Sequence, residues 1–343
     1  MDSTSHPPRI AYSFPAHTFD LRRVKPEWCF EADEGAATAI HLDGNWPRFF
    51  KHLKDLGLIM ATAARGPVSM AAAWEQAHFQ SYPGSDEWLC LESGAEIRPS
   101  AFGGAMAVVE NVGDQQVASF QFFDRNGEGC LKLLVTNWSE YEVYEDLVAR
   151  HASGRRTIQF GQKSEARTET PAPDKATVRH LWNGLSRSLP DSAFPGMEGV
   201  SRLSALEAAG QDLAWRLPRR VVRQALQNMT LAQVPLGGAV RNEAVFLPTG
   251  FFPTHWGECG CGTTFFGEAS QLTLRGCGHR GQVWATRFPL GAEEIICIEL
   301  YNSRGDFAGG IGLRPESARW QKEQWNDMLK TAKEAPAAQG EQA

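Results

Sequence analysis

The order of landmarks along this chain repeats, and a repeated order constrains the fold more than any single motif does. Arg65 and Arg241 each precede a block of strand-like residues, and Arg98 in Glu-Ile-Arg is matched by Arg275 in Leu-Thr-Leu-Arg. Gly127 after Phe-Phe-Asp-Arg-Asn is matched by Gly305 after Leu-Tyr-Asn-Ser-Arg, and Leu147 in Tyr-Glu-Asp-Leu by Leu329 in Asn-Asp-Met-Leu. The offsets all lie near about 180 residues and drift slowly, as they do when one unit is copied and its loops then gain small insertions. At 343 residues the chain also exceeds the usual size of a single core, so two fused units are expected.

Each copy reads as helix, strands, helix. Trp46, Phe49, Phe50, Leu53 and Leu56 fall at helical spacing over 46–56, and Gly57 closes that helix. An apolar segment follows at 58–64, then strand-like stretches at 88–91, 105–109 and 117–123. Asp124-Arg-Asn-Gly127 is a predicted hairpin turn, because Asn-Gly supplies the positive φ angles of a tight hairpin. A helix over 141–152 presents Tyr144, Leu147 and Val148 on one face. The second copy has a helix at 219–229, an apolar segment at 230–236, strands over 245–300, a turn at Asn302-Ser-Arg-Gly305 and a closing helix at 320–332.

The expected organisation is a lead-in over 1–40, a first repeat over 41–152, a polar linker over 153–178, a second repeat over 179–332 and a flexible tail over 333–343. The expected fold class is α+β, an internal duplication of two units, each a large antiparallel sheet packed by helices.

Composition limits the function classes. Hydrophobic residues are 42% and charged residues 22% of the chain, as in globular proteins. The net charge is −6 and no stretch gathers Lys and Arg along a face, which leaves a nucleic-acid partner without an electrostatic footprint. No window of about eighteen apolar residues offers a membrane span, and the N-terminus lacks the layout of a signal peptide, so a cytoplasmic location is expected. The seven cysteines are expected as free thiols. No glycine-rich phosphate loop, Ser-His-Asp order or His-Glu-x-x-His spacing supports nucleotide or hydrolase chemistry.

The densest group of ligand-type side chains is His255-Trp-Gly-Glu-Cys259-Gly-Cys261 followed by Cys277-Gly-His279. Cys-x-Cys and Cys-x-His on strands put both donors on one face, and Cys259, Cys261, Cys277 and His279 make a four-donor set for zinc. Free thiols in glycine-rich loops are the competing reading. Phe251, Phe252, Trp256, Phe265 and Phe266 either wall a flat apolar ligand or fill a core.

Gln121-Phe-Phe-Asp-Arg-Asn-Gly127, the segment 131–135 and Tyr144-Glu-Asp-Leu-Val-Ala-Arg150 resemble the first repeat of the bacterial haemin-degrading and haem-trafficking proteins, the HemS-like family. Trp46-Pro-Arg-Phe-Phe with Leu56-Gly-Leu-Ile-Met-Ala61 resembles that repeat's opening helix and strand. Arg241-Asn-Glu-Ala-Val-Phe-Leu-Pro-Thr-Gly250, Leu272-Thr-Leu-Arg275 and Glu299-Leu-Tyr-Asn-Ser-Arg-Gly305 resemble the matching segments of the second repeat. The resemblance implies a cytoplasmic protein that takes haem from an importer and either passes it to a haem-accepting protein or opens the ring to release iron.

The same resemblance assigns residues. The family's axial ligand is a histidine in a His-Thr-Gly segment, and here that segment reads Pro248-Thr249-Gly250. The place of a second histidine falls near Ser69 and Met70. Arg98 matches an arginine on the opposite haem face, and Arg314 in Gly312-Leu-Arg-Pro315 approximates a basic residue late in the second repeat. Haem iron takes a lone-pair donor such as imidazole, and the propionates suit the planar fork of arginine. His255 and His279 are therefore candidate replacement ligands, ahead of His78 and His180, with Arg98, Arg275 and Arg314 as candidate propionate partners. The alternative is a haem-free member of the family acting as a non-enzymatic binding or interaction module, with zinc on the Cys/His cluster.

Overall fold

The computed structural model of the chain describes residues 37–81, 84–112, 115–153, 173–184, 200–259, 262–275, 281–290, 293–314 and 316–334. They divide into two units. Unit 1 takes the described parts of 1–64 and 71–165 together with Asn242–Leu247, and unit 2 takes Arg65–Met70, the described parts of 166–241, and 248–343. Each unit therefore contains one short segment from the other half of the sequence.

Unit 1 runs β1 (Ala37–Leu42), α1 (Trp46–Lys51), β2 (Gly57–Arg65), β3 (Val68–Glu75), β4 (Phe79–Ser81), β5 (Trp88–Cys90), β6 (Glu96–Ile97), β7 (Phe102–Val112), β8 (Gln115–Asp124), β9 (Gly129–Ser139) and α2 (Tyr141–His151). The expected helix over 46–56 is α1 followed by a 3₁₀ turn, Leu53–Leu56, with Gly57 at φ 79° as its stop. It starts where the Asn45 side chain accepts from the Arg48 amide at 3.2 Å with Pro47 in the first turn. The strands join in the order β1-β7-β8-β9-β2-β3. Side chains alternate across that sheet, and α1 and α2 cover the face of Phe120 and Phe122. Phe49 meets Phe120 edge-on at 4.9 Å, and Tyr144 lies 4.8 Å from Phe120.

Unit 2 runs α3 (Lys175–Gly184), α4 (Arg202–Ala209), β10 (Ala214–Arg216), α5 (Arg219–Leu231), β11 (Leu236–Arg241), β12 (Val245–Phe251), β13 (His255–Cys259), β14 (Gly262–Phe266), β15 (Ser270–Arg275), β16 (Val283–Leu290), β17 (Glu293–Tyr301), β18 (Phe307–Leu313) and α6 (Arg319–Glu334). The order β10-β16-β17-β18-β11-β12 repeats that of unit 1, strand for strand. On one face, Trp325 of α6 donates its indole N–H to the Ile296 carbonyl at 2.6 Å. On the other, Val178 and Trp182 of α3 and Ala205, Leu206 and Ala209 of α4 pack with Trp284, Tyr301 and Phe307.

The duplication extends to single hydrogen bonds. Gly127 N–H donates to Asp124 O and Gly305 N–H to Asn302 O, both at 3.1 Å, and both glycines sit at φ 79°. Asp124 Oδ1 and Asn302 Oδ1 each accept two further turn amides. The hairpin turns fall where expected, but by a different route. Among the described non-glycine residues only Gln76 and Gln233 have positive φ, so Asn126 does not. These are longer loops closed by one left-handed glycine, with a strand bulge beside each.

The exchanged segments are hairpin tips. In unit 1, Val245 and Phe246 pair with Ile97 and Glu96 of β6, and Asn242 donates from Nδ2 to the Cys130 carbonyl at 2.7 Å. In unit 2, Arg65 pairs with Asp306 at 3.1 Å, and Gly66, at φ +51°, lies so close to Asn302 that an added Cβ would stand 2.8 Å from the Asn302 Cβ. Gly66→Ala is therefore strained twice, by backbone and by contact, and should lower stability by roughly 1–3 kcal/mol in chemical denaturation. An unchanged midpoint would show that this tip is not held as described.

Candidate functional site

Each arginine of the expected pair sits at the end of a short meander, Arg98 directly after β6 of β4-β5-β6 and Arg275 as the last residue of β15 in β13-β14-β15. Arg98 donates its backbone N–H to Ala244 O, and Arg275 donates its own to Pro67 O, both at 2.8 Å. The backbone equivalence read from spacing thus holds to the hydrogen bond. Their side chains part company. Arg98 is half-exposed and pairs with Glu87 at 2.7 Å, on a rim where Ser100 donates to Asp86. Arg275 is buried.

In unit 2 the structure joins two signals that the sequence keeps about sixty residues apart. Thr249 and Gly250 lie in the second half of β12, and Arg314 follows directly on β18. A Cβ added at Gly250 would lie 3.5 Å from Arg314 Nη1, and one at Gly237 of β11 would lie 3.8 Å from Arg314 Cγ. The arginine therefore passes over a floor of two glycines, half-exposed, with Glu316 as its carboxylate partner at 2.5 Å. Pro248 and Thr249 beside it are partly exposed. Proline offers iron no lone pair.

His255 opens β13. Its ring stacks on Phe266 at 4.7 Å with an 11° interplanar angle, and its Nδ1 lies 3.0 Å from the Thr254 hydroxyl. The ring is exposed, so its other nitrogen is open to a ligand. The expected aromatic wall is divided, with Phe251 and Phe265 buried in the core and Phe252 exposed. His78 and His180 are exposed, and Ser69 and Met70 are buried.

Cys261, Cys277 and His279 lie outside the described residues. Of Cys259 only the backbone is described, as the last residue of β13 opposite Gly262. Among the described residues no group of three or more His, Cys, Asp and Glu side chains stands ready to hold a metal. Cys90, Cys130 and Cys297 are buried free thiols, and burial pushes all three pKa values up.

Sequence reasoning missed a cross-strand line in each sheet that carries a buried charged residue, Lys132 in one and Glu299 in the other. In unit 1, Thr62, Lys132, Gln121, Met106 and His41 are successive cross-strand partners on the face turned away from α1 and α2. Lys132 is buried there and donates to Glu110 at 2.8 Å. Burial lowers its pKa to about 8, with the Glu110 charge opposing that drop. The matching line in unit 2 is Ala239, Gly310, Glu299, Trp284 and Arg216. A lysine or glutamate inside an apolar strand is the signal that marks both lines.

No family model matches the chain. Its sequence is 24% identical over 228 residues to the hemin transport protein HmuS of Yersinia pestis, an alignment covering 62% of this chain and 61% of that protein. The chain thus spans about three fifths of the length of that curated relative. Among solved structures, holo-PhuS, a heme-binding protein from Pseudomonas aeruginosa, superposes with a TM-score of 0.71 at 18% identity, over 86% of this chain and 87% of that one. The heme degrading enzyme ChuS of Escherichia coli O157:H7 superposes with a TM-score of 0.70 at 16% identity, over 86% of each chain. At those identities the superpositions establish the fold. No described helix is long and apolar enough to cross a membrane. The chain is thus similar in sequence to HmuS and shares the fold of PhuS and ChuS.

Proposed function

We propose that the chain binds haem as cargo and serves haem trafficking or utilisation through an atypical ligand set. The observation that carries this reading is Arg314, laid half-exposed over Gly237 and Gly250 beside the Pro248-Thr249-Gly250 segment. A guanidinium over a side-chain-free floor suits the edge of a flat ring bearing propionates, since its fork can pair with a carboxylate by two hydrogen bonds. The names of HmuS and PhuS support the same cargo.

On the iron side, Pro248 supplies nothing. His255 is the described imidazole best prepared for the task, because the Thr254 contact at Nδ1 and the Phe266 stack orient the ring and leave Nε2 for a ligand. Arg98 is the proposed counterpart in unit 1, and a cytoplasmic setting with an importer and an acceptor as partners belongs to the same proposal. Haem, when bound, brings its own redox chemistry, and this chain's residues hold its propionates and iron.

Titrating the purified protein with haemin should give a saturable Soret shift at one equivalent. No saturable shift up to tens of micromolar would overturn the reading. Arg314→Ala should weaken binding about tenfold, the loss of one charge-assisted pair. His255→Ala should move the Soret maximum, and an unchanged spectrum would pass the ligand role to another residue. Arg98→Ala tests the arginine of unit 1 in the same titration.

A further inference from the structure

The line Glu299-Trp284-Arg216 ends, on its β10 side, in a cleft of about 550 Å³ within unit 2. That volume falls within the range of small-molecule sites. The cleft runs along β10, the outermost strand of its sheet order, between the end of α4 and the last turn of α6. Two tryptophans wall it, and both are fixed. Trp215 donates its indole N–H to the Leu329 carbonyl at 3.3 Å, and Trp284 donates to Gln282 Oε1 at 3.1 Å.

Each tryptophan carries a cation. Lys333 Nζ stands 5.4 Å from the Trp215 ring centroid, and Arg216 Cζ stands 5.3 Å from that of Trp284. Attraction to the ring faces holds both positive groups at the cleft instead of letting them range through solvent. Against these two cations the described residues of the lining offer a single carboxylate, Glu207, 3.2 Å from Arg216. Among the described residues no carboxylate pairs with Lys333. Among the described residues that line it there is no histidine, cysteine, methionine or tyrosine, the side chains that hold haem iron.

We infer that this cleft is a second binding site, for a planar aromatic or conjugated carboxylate held by Arg216 and Lys333 without metal coordination. Fixed indoles provide apolar walls, and the uncompensated positive charge provides the carboxylate partner. The inference stands apart from the haem reading, whose residues, Arg314, His255 and Arg98, are not among those lining the cleft.

The test uses 1-pyrenebutyrate, whose emission is sensitised by nearby tryptophan, and its neutral analogue 1-pyrenebutanol, with the full chain. The carboxylate probe should saturate one site and bind at least tenfold more tightly than the alcohol. The double variant Arg216→Gln/Lys333→Gln should lose that preference, while Arg223→Gln, a cation elsewhere on unit 2, should keep it. Glu207→Gln should tighten carboxylate binding by removing the competing acid. That gain in affinity keeps the inference testable if the double variant fails to fold. Absence of saturable sensitised emission up to about 0.1 mM, equal affinity for the two probes, or weaker binding in Glu207→Gln would each overturn it.

Discussion

Arg202→Met should lose about 3–5 kcal/mol of folding stability, the cost of leaving one member of a buried ion pair without its partner. Arg202 is the first residue of α4 and Glu299 lies on β17, and the fork meets the carboxylate twice, Nε to Oε2 and Nη2 to Oε1, each at 2.6 Å. The Tyr301 hydroxyl adds a third donor to Glu299 Oε2 at 2.6 Å. All three side chains are buried. Burial and then the Glu299 charge push the Tyr301 phenol well above its ordinary pKa, so it remains a donor throughout the physiological range. With Arg202 gone, Glu299 must either stay charged in a dry site or take up a proton. Replacing both partners with apolar residues of similar volume removes that demand, and Arg202→Met/Glu299→Leu should recover most of the loss. Chemical denaturation followed by circular dichroism measures both. A single variant within 1 kcal/mol of the parent would mean that the pair is not isolated from water.

Raising the pH from 8 to about 10.5 should stabilise the parent relative to Lys132→Met by roughly 3 kcal/mol, at about 1.4 kcal/mol for each unit of pKa displacement. Lys132 has a folded-state pKa of about 8 against the usual 10.5, with burial the dominant cause and Glu110 opposing it. A base whose pKa is lowered by folding binds fewer protons in the folded state, so stability rises with pH between those two values. Below pH 8 the folded chain bears the full cost of keeping the ammonium charged in the sheet interior. Tyrosines and cysteines also titrate in this window, which is why the difference between parent and variant carries the prediction. A difference that stays constant from pH 7 to 10.5 would show that Lys132 is hydrated.

Several elements were legible because local chemistry decides them. Gly57 ends a helix, Gly127 and Gly305 close turns, and the spacing of Arg98 and Arg275 places them at equivalent backbone positions. What escaped depends on long-range packing. Arg202-Leu-Ser-Ala-Leu-Glu-Ala-Ala is helical, yet it buries Arg202, Ala205, Leu206 and Ala209 and shows little contrast between faces, so the pattern that exposes α5 and α6 is weak in it. Lys132 alternates with Leu131 and Leu133, the usual mark of a solvated strand face. The residue is nonetheless buried, and alternation alone does not say that both faces are covered. The opposite fates of Arg98 and Arg275 are set by neighbours that their own segments do not contain.

The exchanged hairpin tips bear on how the protein is made. Unit 1 is not complete until 242–247 has been synthesised, roughly a hundred residues after its own last helix, and unit 2 needs 65–70 from the start of the chain. A ribosome releasing the first copy of the repeat therefore releases a β6 edge still awaiting Val245 and Phe246. Cutting the gene between α2 and α3 would divide the duplication in sequence while leaving both products short of a strand end, so the two copies are one folding unit in time.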